Sequence, residues 1–185
     1  MADEAAIPVV IGDMTTAVAP GGHDLVRLAH NTPSDLFTRA EQAECFRNAA
    51  RRPVPGGRFV IGLRVPEPRR LPPGQEAAVW QSEPGRIGLD TYGVLRQRVV
   101  SHHFRFDGTR QARLFRSPHR SIRPAELDLM AQPAGFDPEA GHADRAGAPF
   151  TAGRAPASRS AASRPPGSER ARRAGPYGPA RRARS

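Results

Sequence analysis

The sequence predicts an α/β protein: a partial sheet of parallel strands, an antiparallel hairpin towards the carboxyl end, and a disordered tail. Three observations lead there. Short apolar runs alternate with a helical segment over residues 7–63, the rhythm of strands joined by a crossover helix. Residues 64–136 open on the Pro-rich connection VPEPRRLPPG and change to strand-like alternation followed by a short helix. Beyond about Phe150 the composition turns to Arg, Ala, Pro, Ser and Gly, which bury too little apolar surface to offset the entropy of ordering. The expected organisation is one α/β domain over residues 1–150 and a disordered Arg/Ala/Pro-rich tail over 151–185.

Each element has its own signal. IPVVIGD, residues 7–13, is an apolar run ending at Gly12-Asp13, as a buried parallel strand ends at a loop. HDLVRLA, residues 23–29, follows a Pro-Gly-Gly turn and stops at His30-Asn31-Thr32. Thr38 and Glu41 have capping-box spacing, and Ala43, Phe46 and Ala50 then share one helical face. That helix is expected to end near Arg52, because Pro53 and Pro55 disfavour its continuation and Gly56-Gly57 can reverse the chain. RFVIGL then enters the sheet beside the strand the helix left, the crossover expected of α/β sheets. Val100, His102, Phe104 and Phe106 share one strand face, Asp107-Gly108 marks a tight turn, and Ala112 and Leu114 lie on the return strand. Pro124 suits the first position of a last helix with the stripe Leu127, Met130, Ala131 and Ala134, although Pro133 inside it costs about 3 kcal/mol.

Charge narrows the function classes. All 28 basic residues are arginine, giving a net charge of +10. Residues 153–185 hold nine arginines and one acid, so nearly all the excess belongs to the tail. A flexible arginine segment can neutralise phosphates, and the alternative function is a non-catalytic basic protein binding nucleic acid through that tail. Tyr177 is its only aromatic residue, too few for base stacking, so nucleic acid is not the expected partner and a solvated tail is the preferred reading. GC-rich codons, or a shifted reading frame in GC-rich DNA, give the same composition. No apolar run reaches the roughly 18–20 residues of a membrane span, and the amino terminus lacks a secretory signal, so no membrane association is expected. One cysteine, Cys45, fits a reducing, cytoplasmic setting.

VVIGDM at 9–14, DLVRLAHNT at 24–32, ECFRNAARRPVPGGRFVIG at 44–62 and SPHRSIRPAELDLMAQPAGF at 117–136 together resemble the later part of class I S-adenosylmethionine-dependent methyltransferases. The resemblance implies a partial Rossmann-like sheet with S-adenosyl-L-methionine as cofactor and a small-molecule methyl acceptor as partner. It places Gly12, Asp13 and Met14 against the adenine, Asp13 accepting from its amino group, and the His30-Asn31-Thr32 loop against the methionine part of the cofactor. Ligands of open α/β sheets lie beyond the carboxyl ends of the strands, which agrees with both positions. The family's Gly-rich first turn and ribose-holding acid have no counterpart here, so the chain resembles an amino-terminally shortened member, crippled or inactive by itself.

Methyl transfer needs positioning and a dry site more than a dedicated acid or base, so no catalytic residue is assigned. Asn31, Tyr92, His102 and His103 are candidate substrate-facing residues. Adjacent strand residues point to opposite faces, so His102 and His103 cannot line one pocket together. Cys45, beside Phe46 on the helix, is expected to pack rather than react, and no metal site is expected.

Overall fold

The computed structural model describes residues 7–20, 22–65, 71–108, 111–144, 146, 148 and 149, and the backbone of 158–163. The elements run β1 His23–Leu28, α1 Arg39–Ala50, β2 Pro53–Ile61, β3 Ala77–Glu83, β4 Arg86–Gly93, β5 Arg98–Phe106, β6 Ala112–Arg120, α2 Pro124–Ala134, β7 Phe136–His142 and β8 Ser158–Ser163. A short 3-10 turn, Thr32–Asp35, joins β1 to α1. Two four-stranded sheets result, one ordered β1-β2-β8-β7 and the other the meander β3-β4-β5-β6. β1 and β2 are parallel, whereas β8 is antiparallel to both its neighbours.

The β1–α1–β2 unit forms as the sequence implies. Thr38 Oγ1 accepts from the Glu41 amide at 3.1 Å, and Glu41 accepts from the Thr38 amide at 2.8 Å, closing the capping box. The Thr38 hydroxyl and amide hold the Glu41 carboxyl below its ordinary range. Gln42 donates to the carbonyls of Pro33 and Leu36, both at 3.0 Å, which ties α1 to the 3-10 turn. The Pro-Gly-Gly corner is a bulge inside β2 rather than a turn before it. Pro53 pairs with His23 and Arg58 with Leu25, so residues 54–57 stand opposite Asp24 alone, three more than a regular ladder needs. Gly56 has φ 82, and a Cβ at Gly57 would lie 2.9 Å from the His23 carbonyl oxygen.

The core lies between the first sheet and the two helices. Phe46, Phe59, Ile61, Ile122, Leu127, Met130 and Phe136 are buried in it, and Ala43 and Ala50 pack against it. Phe59 meets the edge of Phe46 at 5.4 Å and stacks on Phe136 at 4.9 Å, so one ring links α1, β2 and β7. Pro124 opens α2, and Gly135 closes it in the left-handed conformation at φ 97. Pro133 sits in its last turn, where one missing donor leaves the earlier ladder intact.

Cys45 is buried on α1, and burial followed by the charge of Asp13 pushes its thiol up to about 11. An aromatic disulfide reagent at neutral pH is therefore expected to leave the native chain unmodified and to react fully once urea unfolds it. Prompt reaction of the native chain would contradict this packing.

Two expectations are corrected. Residues 7–13 are not a strand: 7–12 have no ladder partner among the described residues, and Ile7, Val9, Val10 and Ile11 are exposed. An extended run becomes a strand only where another accepts its hydrogen bonds, and among the described residues β1 pairs only with β2. VVIGD and DLVRLA are thus not neighbouring parallel strands. Likewise, Ser158–Ser163 form β8 between β2 and β7 rather than part of a disordered tail. Ladder bonds come from the backbone, so a Ser/Ala segment without apolar pattern can fill a slot between two strand edges. The rest of the proposed tail, 151–157 and 164–185, lies outside the described residues. No helix among the described residues is long and apolar enough to cross a membrane.

Candidate functional site

The carboxyl end of β1 opens onto the inner end of the second sheet. His30 and Asn31 follow β1 with φ of 52 and 64, two successive left-handed residues without glycine. This conformation is costly and marks a constrained turn. It is held by the Asn31 amide donating to the Gly62 carbonyl at 3.0 Å, and by the Asn31 side-chain oxygen accepting from Ser34 Oγ at 2.9 Å and the Arg64 amide at 3.1 Å. The Asn31 side-chain nitrogen meets no acceptor among the described residues and can donate.

A cavity of about 60 Å³ lies there, lined among others by Asn31, Arg64, Asp90, Tyr92, Ser101 and His119. Asp90 is 1% exposed, and its carboxylate accepts from Ser101 Oγ at 2.7 Å and Tyr92 at 3.3 Å and pairs with Arg64 at 2.9 Å. These donors compensate a charge that burial alone would penalise. Burial, and then the Asp90 charge, push the Tyr92 phenol above its ordinary value. His119 is held at both ring nitrogens: Nδ1 lies 3.1 Å from Asp35 and Nε2 3.1 Å from Ser117 Oγ. The arrangement can fix a polar group of a small molecule.

The expected cofactor residues form a second group. Asp13 Oδ1 accepts from the Thr15 hydroxyl at 2.6 Å and the Thr15 amide at 2.7 Å, which holds its carboxyl below the usual range. Its second oxygen faces no donor among the described residues. The Asn48 side-chain amide donates to the carbonyls of Met14 at 3.1 Å and Ala17 at 3.0 Å, fastening this loop to α1. Gly12 lies close under the loop, where a Cβ would be 3.0 Å from that of Ala17.

Of the residues expected to line a site, Asn31 and Tyr92 meet in the cavity, whereas Gly12, Asp13, Met14, His30, His102 and His103 do not line it. His102 lies 3.1 Å from the Thr91 hydroxyl, and His103 lies between Trp80 and Phe115. No group of three metal-ligating side chains occurs among the described residues. Asp90, Ser101 and His119 carry no strong signal in the sequence. Their available signal was a lone acid inside a strand, RIGLDTYG, and the alternation Ser117-x-His119.

No family model matches the chain, and no curated protein sequence matches it. Solved structures do. CcbJ methyltransferase from Streptomyces caelestis is 30% identical, with a TM-score of 0.71 over 84% of this chain and 62% of that one. An S-adenosylmethionine-dependent methyltransferase from Clostridium acetobutylicum matches 84% of this chain and 64% of its own with a TM-score of 0.66 at 9% identity. CalS10, an amino pentose methyltransferase from Micromonospora echinaspora bound to S-adenosylmethionine, matches 82% of this chain and 63% of its own with a TM-score of 0.56 at 20% identity. The chain spans less than two thirds of the length of each. The chain has a partial class I S-adenosylmethionine-dependent methyltransferase fold.

Proposed function

We propose that the chain is a methyltransferase domain that passes a methyl group from S-adenosylmethionine to a small-molecule acceptor held between the Asn31 turn and the second sheet. The observation that carries the reading is the cavity, which joins the strained end of β1 to a buried, fully compensated Asp90 within a fold of this family. The likeness to CcbJ and the donor bound in CalS10 support it.

The residues present fit two parts of the donor. The free oxygen of Asp13 can accept from the adenine amino group, with Gly12 and Met14 supplying backbone beside the ring. The free side-chain amide of Asn31, next to His30, can donate to the carboxylate of the methionine part. When bound, the donor supplies an electrophilic methyl group for in-line displacement. Asn31 and Tyr92 then orient the acceptor, Asp90 fixes the walls through Ser101 and Arg64, and His119, steadied by Asp35 at Nδ1, receives at Nε2 the proton that the attacking amine or hydroxyl loses, the Ser117 hydroxyl turning away from that nitrogen.

These residues supply no Gly-rich turn and no acid for the ribose, so the chain by itself binds the donor weakly. Calorimetric titration with S-adenosylhomocysteine is expected to give little heat and a dissociation constant weaker than about 100 μM. Submicromolar affinity would overturn the partial cradle.

A further inference from the structure

The face of the second sheet that closes the cavity continues outward as a surface of different chemistry. Pairing aligns Tyr92 with Val99 and His119, then Asp90 with Ser101 and Ser117, then Gly88 with His103 and Phe115, then Arg86 with Arg105 and Arg113. The first two rows bound the cavity. The third is aromatic: the His103 ring lies 5.2 Å from Trp80 and 5.9 Å from Phe115. Trp80 lies flat across β4 because position 88 is glycine; a Cβ there would come within 2.5 Å of the indole. Trp80 remains 42% exposed and Phe115 67%.

The fourth row places three arginines directly opposite one another on adjacent strands, which is unfavourable unless an anion lies over them. None pairs with a carboxylate among the described residues. Glu83 sits opposite Arg86, but it accepts from Gln81 at 3.3 Å and makes no ion pair with it. A groove of about 610 Å³ runs along Arg86, His103, Arg105, Arg113 and Phe115.

We infer that this surface recognises the methyl acceptor and selects one with a planar ring bearing a phosphate or carboxylate. The ring lies on Trp80, His103 and Phe115, and the anion on Arg86, Arg105 and Arg113, where guanidinium forks match either oxyanion. His119 and Arg113 are six residues apart on one strand, so the acceptor's nucleophile and anion are separated by up to about 20 Å. The inference rests on the methyl-transfer reading for what the bound molecule undergoes, but not for its binding.

Trp80 is the only tryptophan, so its fluorescence reports this surface alone. Titration of the full chain with phenyl phosphate is expected to change that fluorescence saturably, with benzoate as the carboxylate arm; phenol and inorganic phosphate, each half of the ligand, should act far more weakly. The double variant Arg105→Ala/Arg113→Ala should weaken the response on the order of tenfold or more while keeping or raising the melting temperature, because it removes like charges. A silent Trp80 with both aryl anions, or an undiminished response in the folded variant, overturns the subsite. S-adenosylhomocysteine raised into the millimolar range and followed by backbone amide shifts separates the two readings: donor binding beside a silent Trp80 removes the subsite alone, and an aryl-anion response with no donor binding even there removes the methyl-transfer reading alone.

Discussion

Glu126→Ala is expected to lower the unfolding free energy by roughly 3 kcal/mol, because it leaves a buried guanidinium without its counter-charge. Arg120 is almost fully buried, donating to Glu126 Oε1 at 2.5 Å, to Gln97 Oε1 at 2.8 Å and to Gln42 Oε1. Gln97 also donates to Glu126 at 2.8 Å, so β6, α2, α1 and the turn before β5 share one polar knot. Glu126→Gln keeps the shape and loses the charge, and should fall between wild type and Ala. Burial raises the Glu126 carboxyl pKa, but the Arg120 and Gln97 donors and the Arg120 charge outweigh it and hold the value below the ordinary range. The unfolded chain therefore takes up this proton at a higher pH than the native one. The knot's contribution is full above the unfolded carboxyl value and is lost as pH falls through the lower native value. Urea titrations from neutral pH down to about 3 should show the Glu126→Gln deficit shrinking over that acid range. A deficit independent of pH would contradict the assignment.

Phe59→Ala is expected to cost about 4 kcal/mol, the range for emptying an aromatic site in a packed core. Loss of the contacts to Phe46 and Phe136 detaches α1 and β7 from β2 together. Set against a typical total of roughly 5–15 kcal/mol, one such substitution removes between about a quarter and four fifths of the stability. The urea midpoint should fall with its slope unchanged; a shift equivalent to less than about 1 kcal/mol would mean that the ring triplet does not hold these elements together.

What was legible in the sequence was local. The capping box at Thr38, the Phe46 face and the α2 stripe are short-range patterns, and the structure contains each of them. What was not legible depended on partners distant in the chain. IPVVIGD has the composition of a buried strand and is exposed, because composition does not supply a ladder. Ser158–Ser163 has the composition of a linker and is a strand, because a gap between β2 and β7 does. β7, FDPEAGH, hides behind Pro138 and two acids for the same reason. The site divides similarly: Asn31 stood out at a strand end, whereas Asp90, Ser101 and His119 come together only when β4, β5 and β6 pair.

The most direct test is the map of backbone amide shifts in the full chain as S-adenosylhomocysteine is raised into the millimolar range. Progressive shifts are expected at Asp13, Met14, Asn31 and Ser34, with Arg105 and Arg113 on the outer sheet unmoved. Shifts absent from both the Asp13 loop and the Asn31 turn would contradict the methyl-transfer reading.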